Sequence, residues 1–113
     1  MPLELTQVQQ IREYLRGVMD RAVHHAGNVD EIALAIAGAV IWRMDDNPLE
    51  VFAREGQIKN VLWVRIDGQR LAFSYNHEEE TIEVREGTTQ GRVLRSFSNN
   101  NSAGDVVEFF RGL

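Results

Sequence analysis

The stretch Val61-Leu62-Trp63-Val64-Arg65-Ile66-Asp67-Gly68-Gln69-Arg70-Leu71-Ala72-Phe73-Ser74-Tyr75 decides the fold. Asp-Gly between two runs of period-two alternation is the strongest short-range hairpin signal, because a type I′ turn needs positive φ at both central residues. A two-residue loop pairs Ile66 with Gln69, which sets Val64 opposite Leu71 and Leu62 opposite Phe73. All four are apolar, so side-chain pattern and turn chemistry agree on one register. Beyond a polar loop at residues 76–80, pairing Tyr75 with Ile82 puts Phe73 beside Val84 and adds residues 81–85 as a further strand. Leu49–Arg54, turned at Glu55-Gly56, and Val93–Phe97, after a loop at residues 87–91, extend the set to four or five antiparallel strands in a meander.

Helices flank this block. Thr6 with Gln9 reads as a capping box. Val8, Ile11, Leu15, Val18, Ala22 and Ala26 then recur at spacings of three and four, the apolar stripe of a helix that Gly27 closes as a left-handed cap. Asn28 with Glu31 reads as a second capping box. It opens a helix through residues 32–42 that is apolar all round and is therefore expected to be buried on most sides. The competing reading breaks it at Gly38 and makes residues 39–44 a strand, since Val40, Ile41 and Trp42 favour strands; the unbroken helix is preferred. Pro48 ends it in either case. Ser102 with Asp105 starts a last helix that stops at Arg111-Gly112. Two helices, a block of strands and a final helix argue the α+β class, with an antiparallel sheet and helices packed on one face.

The chain has 113 residues, 43% hydrophobic and 26% charged, and no Cys. One domain over residues 1–113 fits that length. The apolar fraction excludes disorder as the main state. Without Cys there is no disulfide scaffold, thiolate metal site or cysteine nucleophile. Residues 1–4 show neither a basic nor an apolar leader, and the longest apolar run, residues 32–42, is shorter than the roughly twenty residues of a bilayer span. A cytoplasmic, bacterial-type protein without membrane association is the expectation. Seventeen acidic against twelve basic residues give a formal charge of -5, which argues against nucleic acid as a general partner. Eleven of the twelve basic residues are Arg, the side chain better suited to bidentate capture of an anion.

Asn60-Val61-Leu62-Trp63, Tyr75-Asn76-His77, Ile82-Glu83-Val84-Arg85 and Val93-Leu94 with Phe97 resemble small bacterial proteins carried in integron gene cassettes. The similarity covers roughly residues 30–100. It implies a bacterial, mobile-gene origin and carries over no catalytic residue.

The remaining constellations have structural explanations. Adjacent residues of a helix point about 100° apart, so His24 and His25 make a poor metal pair. His77 with Glu78, Glu79 and Glu80 stands at a hairpin tip in water, where no dry site tunes acid or base. Asp45-Asp46-Asn47 lacks the spaced loop and later Glu of a calcium hand and reads as helix termination. The Gly87–Gly91 loop lacks the Lys of a phosphate-binding loop, and no nucleophile elbow exists. No catalytic residue, metal site or cofactor is assigned.

The outer face of the sheet is more informative. If Leu62, Val64, Leu71, Phe73, Ile82 and Val84 face the helices, then Trp63, Arg65, Arg70, Ala72, Ser74, Glu83 and Arg85 face away. Arg65 falls opposite Arg70, and Arg85 opposite Ala72 beside Trp63. Like charges opposed across strands are destabilising, so these guanidiniums call for an anion, a partner chain, or neutralisation by Glu83 and Glu50, with stacking on Trp63 as a further outlet. Trp63, Arg65, Arg70 and Arg85 are the candidate ligand or interface residues. Three readings follow. The first is an interaction protein that self-associates as a two-fold homodimer, burying the excess apolar surface of residues 29–44 or the Trp63 face. The second is a binding module for an anionic small molecule or single-stranded nucleic acid on that face. The third, ranked last because no nucleophile–base pair is visible, is an enzyme with a pocket between sheet and helices that uses Tyr14, Tyr75 or His77.

Overall fold

Period-two alternation and tight turns lay the strands down next to their sequence neighbours. The computed structural model describes residues 2–5, 8–25, 27–54 and 57–113. Within these, the chain runs β1 (Pro2–Leu5), α1 (Val8–His25), α2 (Asp30–Arg43), β2 (Leu49–Arg54), β3 (Gln57–Ile66), β4 (Gln69–Asn76), β5 (Thr81–Glu86), β6 (Val93–Phe97) and α3 (Ala103–Arg111). The strands form one antiparallel sheet in the order β1-β2-β3-β4-β5-β6. The expected α+β meander is present, and β1 adds an edge strand against β2, from Pro2 opposite Phe52 to Leu5 opposite Leu49. Four residues are too few for alternation to be read.

The β3–β4 hairpin has the register that its turn dictates. Val64 faces Leu71 and Leu62 faces Phe73, while Phe73 faces Val84 and Tyr75 faces Ile82 across β4–β5. Asp67 (φ 52°) and Gly68 (φ 80°) are both left-handed, as a type I′ turn requires. The Asp45 carboxylate grips this turn from outside. Its two oxygens accept from the backbone N–H of Asp67 at 2.9 Å and of Gly68 at 2.8 Å. Consecutive left-handed residues aim their amides at one concavity, which suits an anion. Asp45 therefore does more than end α2; it ties that helix to the hairpin tip.

α2 runs unbroken through Gly38 to Arg43. Its start differs from the expected Asn28 capping box: the N-cap residue is Val29, which makes no side-chain cap. The cap comes from the β6–α3 turn. Asn99 Oδ1 accepts from the backbone N–H of Glu31 (3.1 Å) and Ile32 (3.0 Å), and Asn99 Nδ2 donates to the Gly27 carbonyl and to Asp30. Orphan amides of a first turn need an acceptor, and a residue far along the chain supplies it here. Asn28 instead donates to the Glu80 carbonyl. Among the described residues the left-handed positions are Asp67, Gly68, Glu80 and Gly87, so Gly27 does not close α1 as a left-handed cap. Thr6 of the first expected capping box, the Glu55-Gly56 turn, and the side chains of His24 and His25 lie outside the described residues.

The helices cover one face of the sheet. Val51, Val64, Ile66, Leu71, Phe73, Val84 and Phe97 meet Ile32, Ile36 and Val40 of α2 and Val106 and Phe110 of α3 in one core. α3 carries the expected box, with Ser102 Oγ accepting from the Asp105 N–H and the Asp105 carboxylate accepting from the Ser102 N–H. Its far end is tied to α2, where the Arg43 guanidinium donates to the Phe110 and Leu113 carbonyls. α2 departs from the expectation of burial on most sides: Leu34, Ile41 and Trp42 are each more than half exposed. No helix among the described residues is long and apolar enough to cross a membrane.

Candidate functional site

Alternation places Trp63, Arg65, Arg70 and Arg85 on the outer face, with Arg65 opposite Arg70 and Trp63 opposite Ala72. Ala72 opposes Arg85 on its other side. Ala72 is fully buried although it faces away from the helices, and its cross-strand neighbours on that face are the large residues Trp63 and Arg85. Arg70 stacks on the Trp63 indole at 5.2 Å, donates to the Gly87 carbonyl at 2.9 Å and pairs with Glu50 at 3.5 Å. Arg85 pairs with Glu83 at 2.9 Å and donates to the Gly91 carbonyl at 2.8 Å. Asn76 donates to the same Glu83. That bond, and Arg85, hold the Glu83 carboxyl below the usual carboxylate range against the opposing effect of burial. Two of the three guanidiniums thus have carboxylates from their own chain. Arg65 is exposed, and among the described residues it has no ion-pair partner. The electrostatic demand for an outside anion therefore rests on Arg65 alone.

The helix-facing side holds a second candidate. A cavity of about 360 Å³ lies between α1, α2 and the sheet. Its wall is overwhelmingly apolar: Ile11, Leu15 and Val18 from α1, Ala33, Ile36 and Ala37 from α2, and Leu62, Phe73 and Ile82 from the sheet, among others. Ile41 and His77, both exposed, mark where it meets solvent. Tyr14, Arg21, Tyr75 and His77 bring polar groups to it. Tyr75 and His77 meet edge to face at 4.8 Å. Burial pushes the Tyr14 hydroxyl up to about 12, with Arg21 pulling the other way. Burial, followed by the Glu80 charge, also raises Tyr75. Both phenols therefore stay protonated and able to donate at neutral pH. Among the described residues that line the cavity there is no Asp or Glu, and no group of acidic or His side chains suited to a metal ion occurs among the described residues of the chain.

The structure thus gathers Tyr14, Tyr75 and His77, named from sequence only as options for a pocket, into one cavity. Arg21 went unnamed. Its signal was spacing: Tyr14, Val18 and Arg21 stand four and three apart, on one flank of the α1 stripe. Trp63 and its arginines do not touch this cavity; they occupy the opposite face of the sheet.

The class of protein defined here is a small α+β domain whose antiparallel meander shelters an apolar cavity under its N-terminal helices. Residues 11–105 match the family described as "Integron cassette protein VCH_CASS1 chain", and the chain belongs to that family. This agrees with the resemblance carried by the strands and extends it into α1. No curated protein matches the chain.

Proposed function

We propose that this protein is a small-molecule binding module and that its site is the cavity between α1, α2 and the sheet. The observation that carries this reading is an apolar concavity of about 360 Å³ with a few polar groups converging on it. Small-molecule sites have that character and a size of roughly 300–1,000 Å³. A dry apolar cavity of about 150 Å³ accepts benzene, so this one suits a body on the order of a dozen non-hydrogen atoms. Binding without catalysis is the simpler reading, because the wall offers burial more than chemistry. Calorimetric titration with 1-octanol tests it. Saturable one-to-one binding with a negative heat-capacity change is expected, and Ala33→Leu, which puts a larger side chain into the wall, should abolish it while the circular dichroism is kept. Failure of wild-type protein to bind 1-octanol or indole would overturn the reading.

Self-association is a second reading, supported by Leu34, Ile41 and Trp42, which leave an apolar stripe on α2 at 54%, 53% and 53% exposure. Isolated exposed apolar residues are ordinary, but three along one helix form a patch. Light scattering on wild type and on Leu34→Glu with Trp42→Glu decides it: a dimer that dissociates in the double variant is expected. A cytoplasmic setting belongs to the same proposal and is supported by the lack of Cys.

A further inference from the structure

We infer that the cavity takes an uncharged ligand whose apolar body carries one hydrogen-bond acceptor, a carbonyl or ether oxygen, and that the Tyr14 hydroxyl donates to it. This rests on the binding reading above and adds the ligand's polarity. Ile11, Tyr14, Leu15 and Val18 recur at the spacings of one helix face, and they form part of the α1 wall of the cavity. Tyr14 thus stands among aliphatic neighbours, where phenylalanine would fill the same place without the cost of a buried O–H. Its hydroxyl stays protonated well beyond neutral pH, chiefly because it is buried, so it acts as a donor. Among the described residues no acceptor meets it. Charge has no matching place in the same space. No Asp or Glu lines the cavity among the described residues, and Arg21 is already engaged by a partner of its own. His77 stands exposed at the mouth, where solvent screens whatever charge it carries. A carboxylate or an ammonium carried inward would lose its water without gaining an unpaired counter-ion. A carbonyl loses far less on entry, and the phenol restores its hydrogen bond.

Calorimetric titration of the full chain at neutral pH tests this with three probes of one skeleton: acetophenone, the hydrocarbon cumene, and benzoate. Wild type should bind benzoate at least about ten-fold more weakly than acetophenone, since only benzoate must bury an unpaired charge. Tyr14→Phe, which retains the ring, should weaken acetophenone about five-fold, the size of one neutral hydrogen bond, and leave cumene within about two-fold of wild type. The infrared carbonyl stretch of bound acetophenone gives a readout that packing alone does not move. It should lie below its value in hexane in wild type and return toward that value in Tyr14→Phe; the wild-type stretch serves by itself if the variant does not fold. Benzoate binding as tightly as acetophenone, equal weakening of acetophenone and cumene in the variant, or a bound carbonyl stretch equal to that in hexane overturns the assignment. Cumene binding by wild type would then leave the binding reading standing. No binding of acetophenone or cumene overturns both.

Discussion

Under α3 the inner face of the sheet is filled by aromatic rings, whereas under α1 the same face borders a cavity. Phe110 stacks on Phe73 at 6.0 Å, and Phe109 meets Phe97 edge to face at 5.6 Å. At the other end, Leu62, Tyr75 and Ile82 are only partly buried, and α2 opposes them with Ala33 and Ala37. Both ends are hydrophobic, so hydrophobicity does not separate them. Volume does. Large rings interdigitate to interior density, while alanines facing a sheet leave space that α1 roofs over without filling. One end of the domain holds the fold together, and the other is free to hold something else.

That contrast should appear in the energetics. Phe110→Ala removes a fully buried ring from the packed end and should cost about 3–5 kcal/mol, measured by urea unfolding. A loss under about 2 kcal/mol would mean that the α3 end is no tighter than the α1 end. Leu62→Ala enlarges a space that already exists and should fall at or below the low end of the roughly 2–5 kcal/mol of leucine truncations. A cost as large as that of Phe110→Ala would show that the α1 end is packed after all.

Smaller effects should come from the side chains that fasten α2 at its two ends. Asn99→Ala removes the acceptor for the first-turn amides and should cost about 1–2 kcal/mol, the range of lost N-caps. The smallest change belongs to the outer face. The folded protein holds the Glu83 carboxyl below its ordinary value, so the native state binds fewer protons there than the unfolded chain. This contribution is present above the ordinary carboxylate range and fades as pH falls through the folded value. Glu83→Gln should therefore flatten the acid limb of the stability profile, and an unchanged limb would show that the Asn76–Glu83–Arg85 cluster is only solvated surface.

The sequence revealed features that a few neighbouring residues determine. Asp67-Gly68 set the hairpin and its register, alternation set the faces of β3 to β5, and Ser102 with Asp105 set the start of α3. What it did not reveal depends on distance through space. Asn99 caps a helix that begins near residue 30, and Asp45 binds a turn at residues 67–68; no local pattern encodes either. The uniformly apolar α2 suggested burial on most sides, yet composition cannot say which side a neighbour will leave open. On the outer face, the geometry of Trp63 and its arginines was legible from the register, and Glu50 and Glu83 were among the outlets it offered; that Glu50 takes Arg70 needed β2 to be placed beside β3. The cavity depends on how far α1 stands from the sheet, which no residue spacing gives.

The most direct test of the cavity as a binding site is a methyl NMR titration with 1-octanol. The methyl resonances of Ile11, Ile36, Leu62 and Ile82, which line the cavity, should shift together and saturate along one binding curve. Those of Val106, buried on the core side of α3, and of the exposed Val107 on the same helix should stay in place. Shifts that grow without saturation at Leu34 and Val107 as much as at Ile36 and Leu62, or no shift at any cavity methyl, would contradict the account.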